Sequence, residues 1–119
     1  GVCGIYVQIN GDTVATNYNH QLVGLWNSTS YPSHANSNYC GVFGSASDGT
    51  LSFKVYHTPA GYVIVEWVLC GYADGALYYQ QGFVKTAVTV ENITSIAFAV
   101  DQVNGWDALT HAKLWRATL

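Results

Sequence analysis

Charged residues are scarce in this sequence. Only 9% of its 119 residues are Asp, Glu, Lys or Arg, and the formal net charge is −3; an average domain carries about a quarter. The four basic residues are dispersed, so no positive stripe can follow a phosphate backbone, and we expect no nucleic-acid partner. No apolar run reaches the roughly 18 residues of a membrane span, so we expect no membrane insertion.

Recognisable catalytic and metal-binding motifs are also missing. The sequence contains no GxSxG motif, no Walker phosphate loop, no HExxH and no EF-hand ligand pattern. The spacing of its three cysteines fits no zinc motif. We therefore expect a protein that is not an enzyme, with no catalytic residues, no metal and no cofactor.

The three cysteines, Cys3, Cys40 and Cys70, allow one disulfide and leave one thiol over. All three pairings are open. A bond from Cys40 to either Cys3 or Cys70 would fasten a polar stretch to the sheet, and Cys3–Cys40 is slightly favoured because of the position of Cys70. Cys70 ends a very apolar strand, where we expect it to be buried and inert.

Apolar and aromatic residues dominate instead. Half of the chain is hydrophobic and 14% is aromatic, which suffices for one core and predicts a single domain over 1–119. Low charge with many Tyr, Asn, Ser, Thr and Gly is common in secreted proteins. The chain begins at Gly1 without Met, so we expect that an initiator Met or a signal peptide has been removed. Glycosylation sequons at Asn27 and Asn92 agree with secretion, although whether they carry glycans stays open.

The stretch 50–70 organises the rest of the predicted fold. Leu51, Phe53 and Val55 alternate with polar residues, which indicates a half-buried strand. The turn residues 58–61 follow. Tyr62–Cys70 is then apolar on both faces, so we place it as a strand at the centre of a sheet.

Periodicity assigns the other elements. In chain order they are a strand at 4–10, a helix at 13–27, a loop at 27–49, a strand at 77–90, a helix at 93–103 and a strand at 110–119. Trp26 is expected to pack under the first helix. Segment 93–103 fits a helix or a strand, and the helix is favoured. The order β-α-β-β-β-α-β predicts an α+β two-layer sandwich, with a five-stranded, mainly antiparallel sheet and two helices; the alternative is an all-β sandwich.

Three segments, GVCGIYVQIN, TLSFKVYHTPAGYVIVEWVLCGY and KLWRATL, resemble a small family of secreted mushroom glycan-binding and immunomodulatory proteins, with members in the shaggy ink cap and a bracket fungus. The resemblance implies a single-domain α/β sandwich that forms a homodimer through a sheet edge, with ten antiparallel strands. It also implies binding of complex glycans, fucosylated and containing GalNAc or GlcNAc, and immunomodulatory or cytotoxic effects on cells. It carries no site residues over to this chain.

Glycan binding needs flat aromatic faces for the C–H side of a sugar ring, and amides or carboxylates for its hydroxyls. Tyrosines and an aspartate meet in the turn 71–79, and a tryptophan lies beside polar groups near 104–107. The predicted glycan-binding residues are Tyr72, Asp74, Tyr78, Asn104, Trp106 and Asp107. A further candidate is the polar loop 31–39. Each aromatic side chain also suits a core or dimer contact.

Two other functions compete with this hypothesis. A metal-free ribonuclease would use Glu66, His57 and Arg116 as base, acid and phosphate anchor, since a buried glutamate would have a raised pKa. Against this, a four-residue turn places Glu66 nearer to 52–54 than to His57. A structural ion pair of Glu66 with Lys54, Lys113 or Arg116 is the plainer explanation. The other alternative is a secreted defence or interaction protein without a small ligand.

Overall fold

The computed structural model describes residues 3–43, 48–73 and 75–101, and almost all of its regular elements are strands. They are β1 (Cys3–Ile9), β2 (Tyr18–Trp26), β3 (Thr29–Ala35), β4 (Tyr39–Phe43), β5 (Asp48–His57), β6 (Val63–Ala73), β7 (Ala76–Thr86) and β8 (Ile96–Val100). A single 3₁₀ turn at Ala15–Asn17 precedes β2. These ranges contain no α-helix, so the α+β prediction is wrong and the all-β alternative fits. They also hold no helix that is long and apolar enough to cross a membrane.

The strands form two antiparallel sheets that face each other. The larger sheet has the order β3-β2-β7-β6-β5, and the smaller one has the order β4-β1-β8. Strand β4 lies over β2, β7 and β6. At the other side, the rings of Phe53 on β5 and Phe98 on β8 are 4.5 Å apart. The core between the sheets contains Ile5, Val7, Ile9, Tyr18, Leu22, Cys40, Val63, Val65, Trp67, Leu69, Tyr78 and Val84.

The predicted hairpin at 50–70 is confirmed as β5 and β6. Leu51 pairs with Leu69 and Lys54 with Glu66. The turn is closed by the Gly61 N–H, which donates to the Thr58 carbonyl at 2.9 Å. Gly61 has a φ of 94°, which glycine adopts without strain. Strand β6 is interior to the sheet, although the central strand is β7.

The predicted helix at 13–27 is wrong, because this segment contains β2. Its buried residues alternate: Tyr18, His20 and Leu22 point into the core. Val23 and Leu25 point to the opposite face and are exposed. The spacing of three and four that favoured a helix combined apolar residues from both faces of one strand. An apolar outer face therefore concealed the period of two.

The predicted loop at 27–49 is also wrong over most of its length, since it contains β3 and β4. Strand β3 is exposed at nearly every position, so it has no apolar period. Pro32 lies in it opposite Val23, a position typical of an edge strand. Near β4, the buried Asn38 donates from Nδ2 to the Val7 carbonyl at 2.7 Å. That side chain therefore has a structural role.

Strand β8 occupies part of the ambiguous segment 93–103, so the helix assignment there is wrong and the strand alternative is right. It pairs with β1, with Ile96 opposite Ile9 and Val100 opposite Ile5. Strand β7 ends at Thr86 rather than at the predicted Val90. The predicted strand at 110–119 lies outside the described residues.

The cysteines differ from the expectation. Cys40 and Cys70 are both free thiols, so the favoured Cys3–Cys40 disulfide is not formed. Cys40 is fully buried, whereas Cys70 is exposed. Cys70 is exposed because it lies on the face of β6 that points away from the smaller sheet, opposite Tyr79.

Candidate functional site

The structure describes two of the six residues predicted to bind glycan, Tyr72 and Tyr78. The other four, Asp74, Asn104, Trp106 and Asp107, lie outside the described residues. The candidate site is therefore built from the end of the β6–β7 hairpin.

Tyr72 and Tyr78 lie on opposite faces of the larger sheet. Tyr72 pairs with Leu77, and Tyr78 pairs with Gly71, one position along. Because neighbouring residues in a strand point to opposite faces, Tyr72 points outward and is 52% exposed, whereas Tyr78 points into the core and is 3% exposed. Tyr78 therefore lies largely in the core, although it also lines the surface cavity at this end of the sheet, and its role as a glycan contact stays a prediction.

Tyr78 also supports Trp26. Their rings stack with centroids 5.6 Å apart and planes at 9°, and Trp26 is 37% exposed. Trp26 was expected to pack under a helix, and it is instead partly exposed. The difference arises because this segment is a strand, and Trp26 is the last residue of β2.

Side chains at the end of the β6–β7 hairpin, most of them pointing outward, line a shallow cavity of about 420 Å³. We call it the hairpin-end depression. Its walls include Leu25, Asn27, Thr50, Tyr72, Leu77 and Tyr79. Tyr79 shares the outer face with Tyr72 because it pairs with Cys70. Two tyrosine rings thus stand on one face of a hydrogen-bonded sheet, beside an amide and a hydroxyl.

Asn27 is held in place by the neighbouring hairpin. Its N–H donates to the Leu77 carbonyl at 2.8 Å, and its side-chain Oδ1 accepts from the Leu77 N–H at 3.0 Å. Its φ is 51°, a left-handed conformation that asparagine tolerates in turns. The amide group at the depression therefore has a fixed position, which reduces the entropy lost when it binds a ligand.

Strand pairing separates the residues of the ribonuclease hypothesis. Glu66 pairs with Lys54 and His57 with Val63, so Glu66 and His57 point to opposite faces of the sheet. Glu66 is exposed, whereas the ribonuclease hypothesis relied on a buried glutamate. The His57 Nε2 lies 2.6 Å from the Val90 carbonyl, and Arg116 lies outside the described residues. Glu66 and His57 cannot act on one bound phosphate.

The two tyrosines of the loop candidate 31–39 pack within the framework of the fold. Tyr39 packs on the ring of His20, with centroids 5.5 Å apart, and burial raises the pKa of Tyr39 to about 12. Tyr31 packs against the core. Within residues 3–43, 48–73 and 75–101, no group of three or more His, Cys, Asp or Glu side chains is placed to hold a metal ion.

Sequence reasoning missed Leu25, Asn27, Thr50 and Leu77 at the depression. Leu25 and Asn27 were assigned to a helix and a loop, and Thr50 is distant in sequence. One face of β7 is marked in the sequence by the alternate residues Leu77, Tyr79 and Gln81. This alternation was a signal from which the position of Leu77 beside Tyr79 could have been predicted. No family model, curated protein or solved structure matches this chain.

Proposed function

We propose that the protein is a secreted, lectin-like glycan-binding protein, and that it holds sugar residues in the hairpin-end depression without a metal ion. The observation that carries the proposal is the placement of Tyr72 and Tyr79 on one exposed face beside Asn27 and Thr50. Aromatic rings offer apolar contact area with a polar tip, and the amide and hydroxyl supply both donors and acceptors. This combination suits a neutral ligand rich in hydroxyl groups.

The class of glycan follows from the sequence resemblance. We propose complex glycans that are fucosylated and contain GalNAc or GlcNAc, with immunomodulatory or cytotoxic effects on cells as a consequence of binding. The two tyrosine rings support contact with the apolar face of such sugars. A fungal origin belongs to the same proposal.

The test is a glycan array probed with and without a chelator, followed by titration of the best glycan. The wild type should bind a narrow set of glycans equally in both conditions. Tyr72→Ala should lower affinity at least about tenfold, which corresponds to ~1.4 kcal/mol of binding free energy. The control is Val88→Ala, because Val88 is exposed to a similar degree (55% against 52%) and lies outside the depression. A blank array, or equal binding by both variants, would refute the proposed site or function.

We also propose a homodimer formed through the free edge of β5. Among the described strands, β3 and β5 lie at the edges of the larger sheet. Strand β3 contains Pro32, which interrupts pairing, whereas β5 runs for ten residues without proline. Sedimentation equilibrium should give twice the chain mass of 12.9 kDa, and 12.9 kDa at every concentration would exclude the dimer.

The second candidate is a secreted defence or interaction protein without a small ligand. Of ten exposed large apolar residues in the described ranges, seven lie on the outer face of the larger sheet: Val23, Leu25, Tyr56, Tyr72, Leu77, Tyr79 and Phe83. An apolar surface of this kind often marks a protein-binding site. A blank glycan array would favour this function.

A further inference from the structure

A second cavity lies on the same outer face of the larger sheet. It has a volume of about 580 Å³, and we call it the central depression. The polar, charged and aromatic side chains in its lining include Gln21, Lys54, Glu66, Gln81 and Phe83. Unlike the hairpin-end depression, it is formed at the middle of the sheet and has charged and amide groups around an aromatic ring.

Phe83 lies in the middle of these polar groups. On β7 its cross-strand partners are Gln21 of β2 and Glu66 of β6, and Gln81 is its neighbour on the same face, two residues back. Phe83 is 38% exposed. A phenyl face is thus bordered on three sides by side chains that accept or donate hydrogen bonds.

The charges of the central depression balance each other. Glu66 stands directly opposite Lys54, and the phenol of Tyr56 lies 3.5 Å from the Glu66 Oε2. One positive and one negative group leave no net attraction for a phosphate or a polyamine. Lys and Glu are also depleted at the centres of protein interfaces, so the composition favours a neutral polar ligand over a second protein surface.

The two depressions are neighbours along β7. The Tyr79 hydroxyl donates to the Gln81 Oε1 at 3.2 Å; Tyr79 lines the hairpin-end depression and Gln81 the central one. Tyr79, Gln81 and Phe83 are alternate residues on one face, so Tyr79 and Phe83 are about 14 Å apart at ~3.4 Å per residue. A ligand that extends from one depression along the strand therefore reaches the other.

We propose that the central depression is a second subsite, which binds the inner sugar residues of a neutral oligosaccharide whose outer residues occupy the hairpin-end depression. This inference rests on the proposed glycan binding. It assigns Phe83 as the aromatic contact and Gln21 and Gln81 as hydrogen-bonding groups. It predicts a protein that distinguishes glycans by length as well as by their terminal sugars.

The experiment is calorimetric titration of the best glycan on the array, compared with its terminal disaccharide. The wild type should bind the longer glycan at least about tenfold more tightly. Phe83→Ala and Gln81→Ala should remove most of this gain and leave disaccharide affinity within about twofold, and Val88→Ala should retain the gain. Circular dichroism checks that each variant is folded. If Phe83→Ala is not folded, Gln81→Ala still tests the second subsite.

The outcomes separate the two proposals. If the disaccharide binds, Tyr72→Ala abolishes its binding and length adds nothing, the second subsite is refuted and the glycan-binding function stands. If no glycan binds, both are refuted. If Phe83→Asp converts a dimer into a monomer in sedimentation, the central depression is a contact between copies of this chain, and the subsite is again refuted.

Discussion

The side-chain amide of Gln80 forms both of the hydrogen bonds that a neighbouring strand would form with the backbone of Val42. Its Oε1 accepts from the Val42 N–H at 3.1 Å, and its Nε2 donates to the Val42 carbonyl at 2.8 Å. Gln80 lies on β7 and is fully buried, whereas Val42 lies on β4 of the other sheet. A polar contact thus joins the fully buried Gln80 to the partly buried backbone of Val42, and every polar atom of this contact has a partner.

Replacing Gln80 by Leu should lower the free energy of unfolding by about 2–4 kcal/mol. The substitution leaves the N–H and the carbonyl of Val42 without partners between the sheets, and each costs about 1–3 kcal/mol when buried. Urea unfolding followed by tryptophan fluorescence measures the change. Gln81→Leu is the control, because Gln81 is exposed and should shift stability by about 0.5 kcal/mol or less. Equal midpoints for the two variants would show that the contact with Val42 does not stabilise the fold.

Sequence reasoning succeeded where one face of a strand is apolar and the turn is explicit. The β5–β6 hairpin met both conditions: Leu51, Phe53 and Val55 alternate with polar residues, and Gly61 closes the turn. It failed at β2, where Val23 and Leu25 make the outer face apolar as well. The period of two then disappears, and the spacing resembles a helix.

The site was partly predictable for a similar reason. The sequence predicts a turn within 71–79, but not how the tyrosines around it divide between the two faces of the sheet. Because Ala73 pairs with Ala76, Tyr79 lies on the face of Tyr72 and Tyr78 on the other. The residues that β2 and β5 contribute could not be found, because they meet the hairpin only through long-range pairing.

Acidification should destabilise the protein through His20. This side chain is 4% exposed, and its pKa is lowered from the ordinary 6.5 by burial first and by the charge of His34 second, against an opposing hydrogen bond to the Ser37 backbone. The folded state therefore holds His20 neutral, while the unfolded chain takes up a proton below its own pKa of about 6.5. His20 therefore contributes stability above about pH 6.5, and this contribution is lost as the pH falls through the pKa that His20 has in the folded state.

The check is urea unfolding at several pH values between 7.5 and 5, for the wild type and His20→Gln. The wild type should lose stability progressively below about pH 6.5. The variant lacks the imidazole, so its stability should change less over the same interval. Identical slopes for the two proteins would mean that His20 does not couple folding to pH.

Gly24 provides the space that the ring of Tyr31 occupies. The two residues are directly opposite on β2 and β3, and a Cβ atom at position 24 would overlap the ring of Tyr31. Gly24→Ala should therefore destabilise the protein by about 1–3 kcal/mol, the usual cost of overpacking. In a Tyr31→Ala background the same substitution should cost less than about 0.5 kcal/mol. Thermal or urea unfolding of the four proteins in the cycle measures this, and additive effects would exclude the steric explanation.

The two free thiols should differ in reactivity. Cys40 is fully buried, and burial raises the pKa of its thiol to about 12, whereas Cys70 is exposed on the outer face. The thiolate is the reactive form. In a Cys3→Ser background, one equivalent of a thiol reagent should react with the native protein and a second only after unfolding. Mass spectrometry of the labelled peptides should assign the fast thiol to Cys70, and fast labelling of Cys40 would contradict its burial.

A bound glycan should protect Cys70 from that reagent. Cys70 lines the hairpin-end depression together with Tyr72 and Tyr79, so a sugar residue that rests on these rings blocks access to the thiol. The labelling rate should fall in proportion to occupancy, since only the free protein reacts. The Tyr72→Ala variant should need at least about tenfold more glycan for the same protection, because its affinity is lower, while Val88→Ala should be protected like the wild type. If saturating glycan leaves the rate at Cys70 unchanged, the glycan binds at another surface, and the hairpin-end depression is not the site.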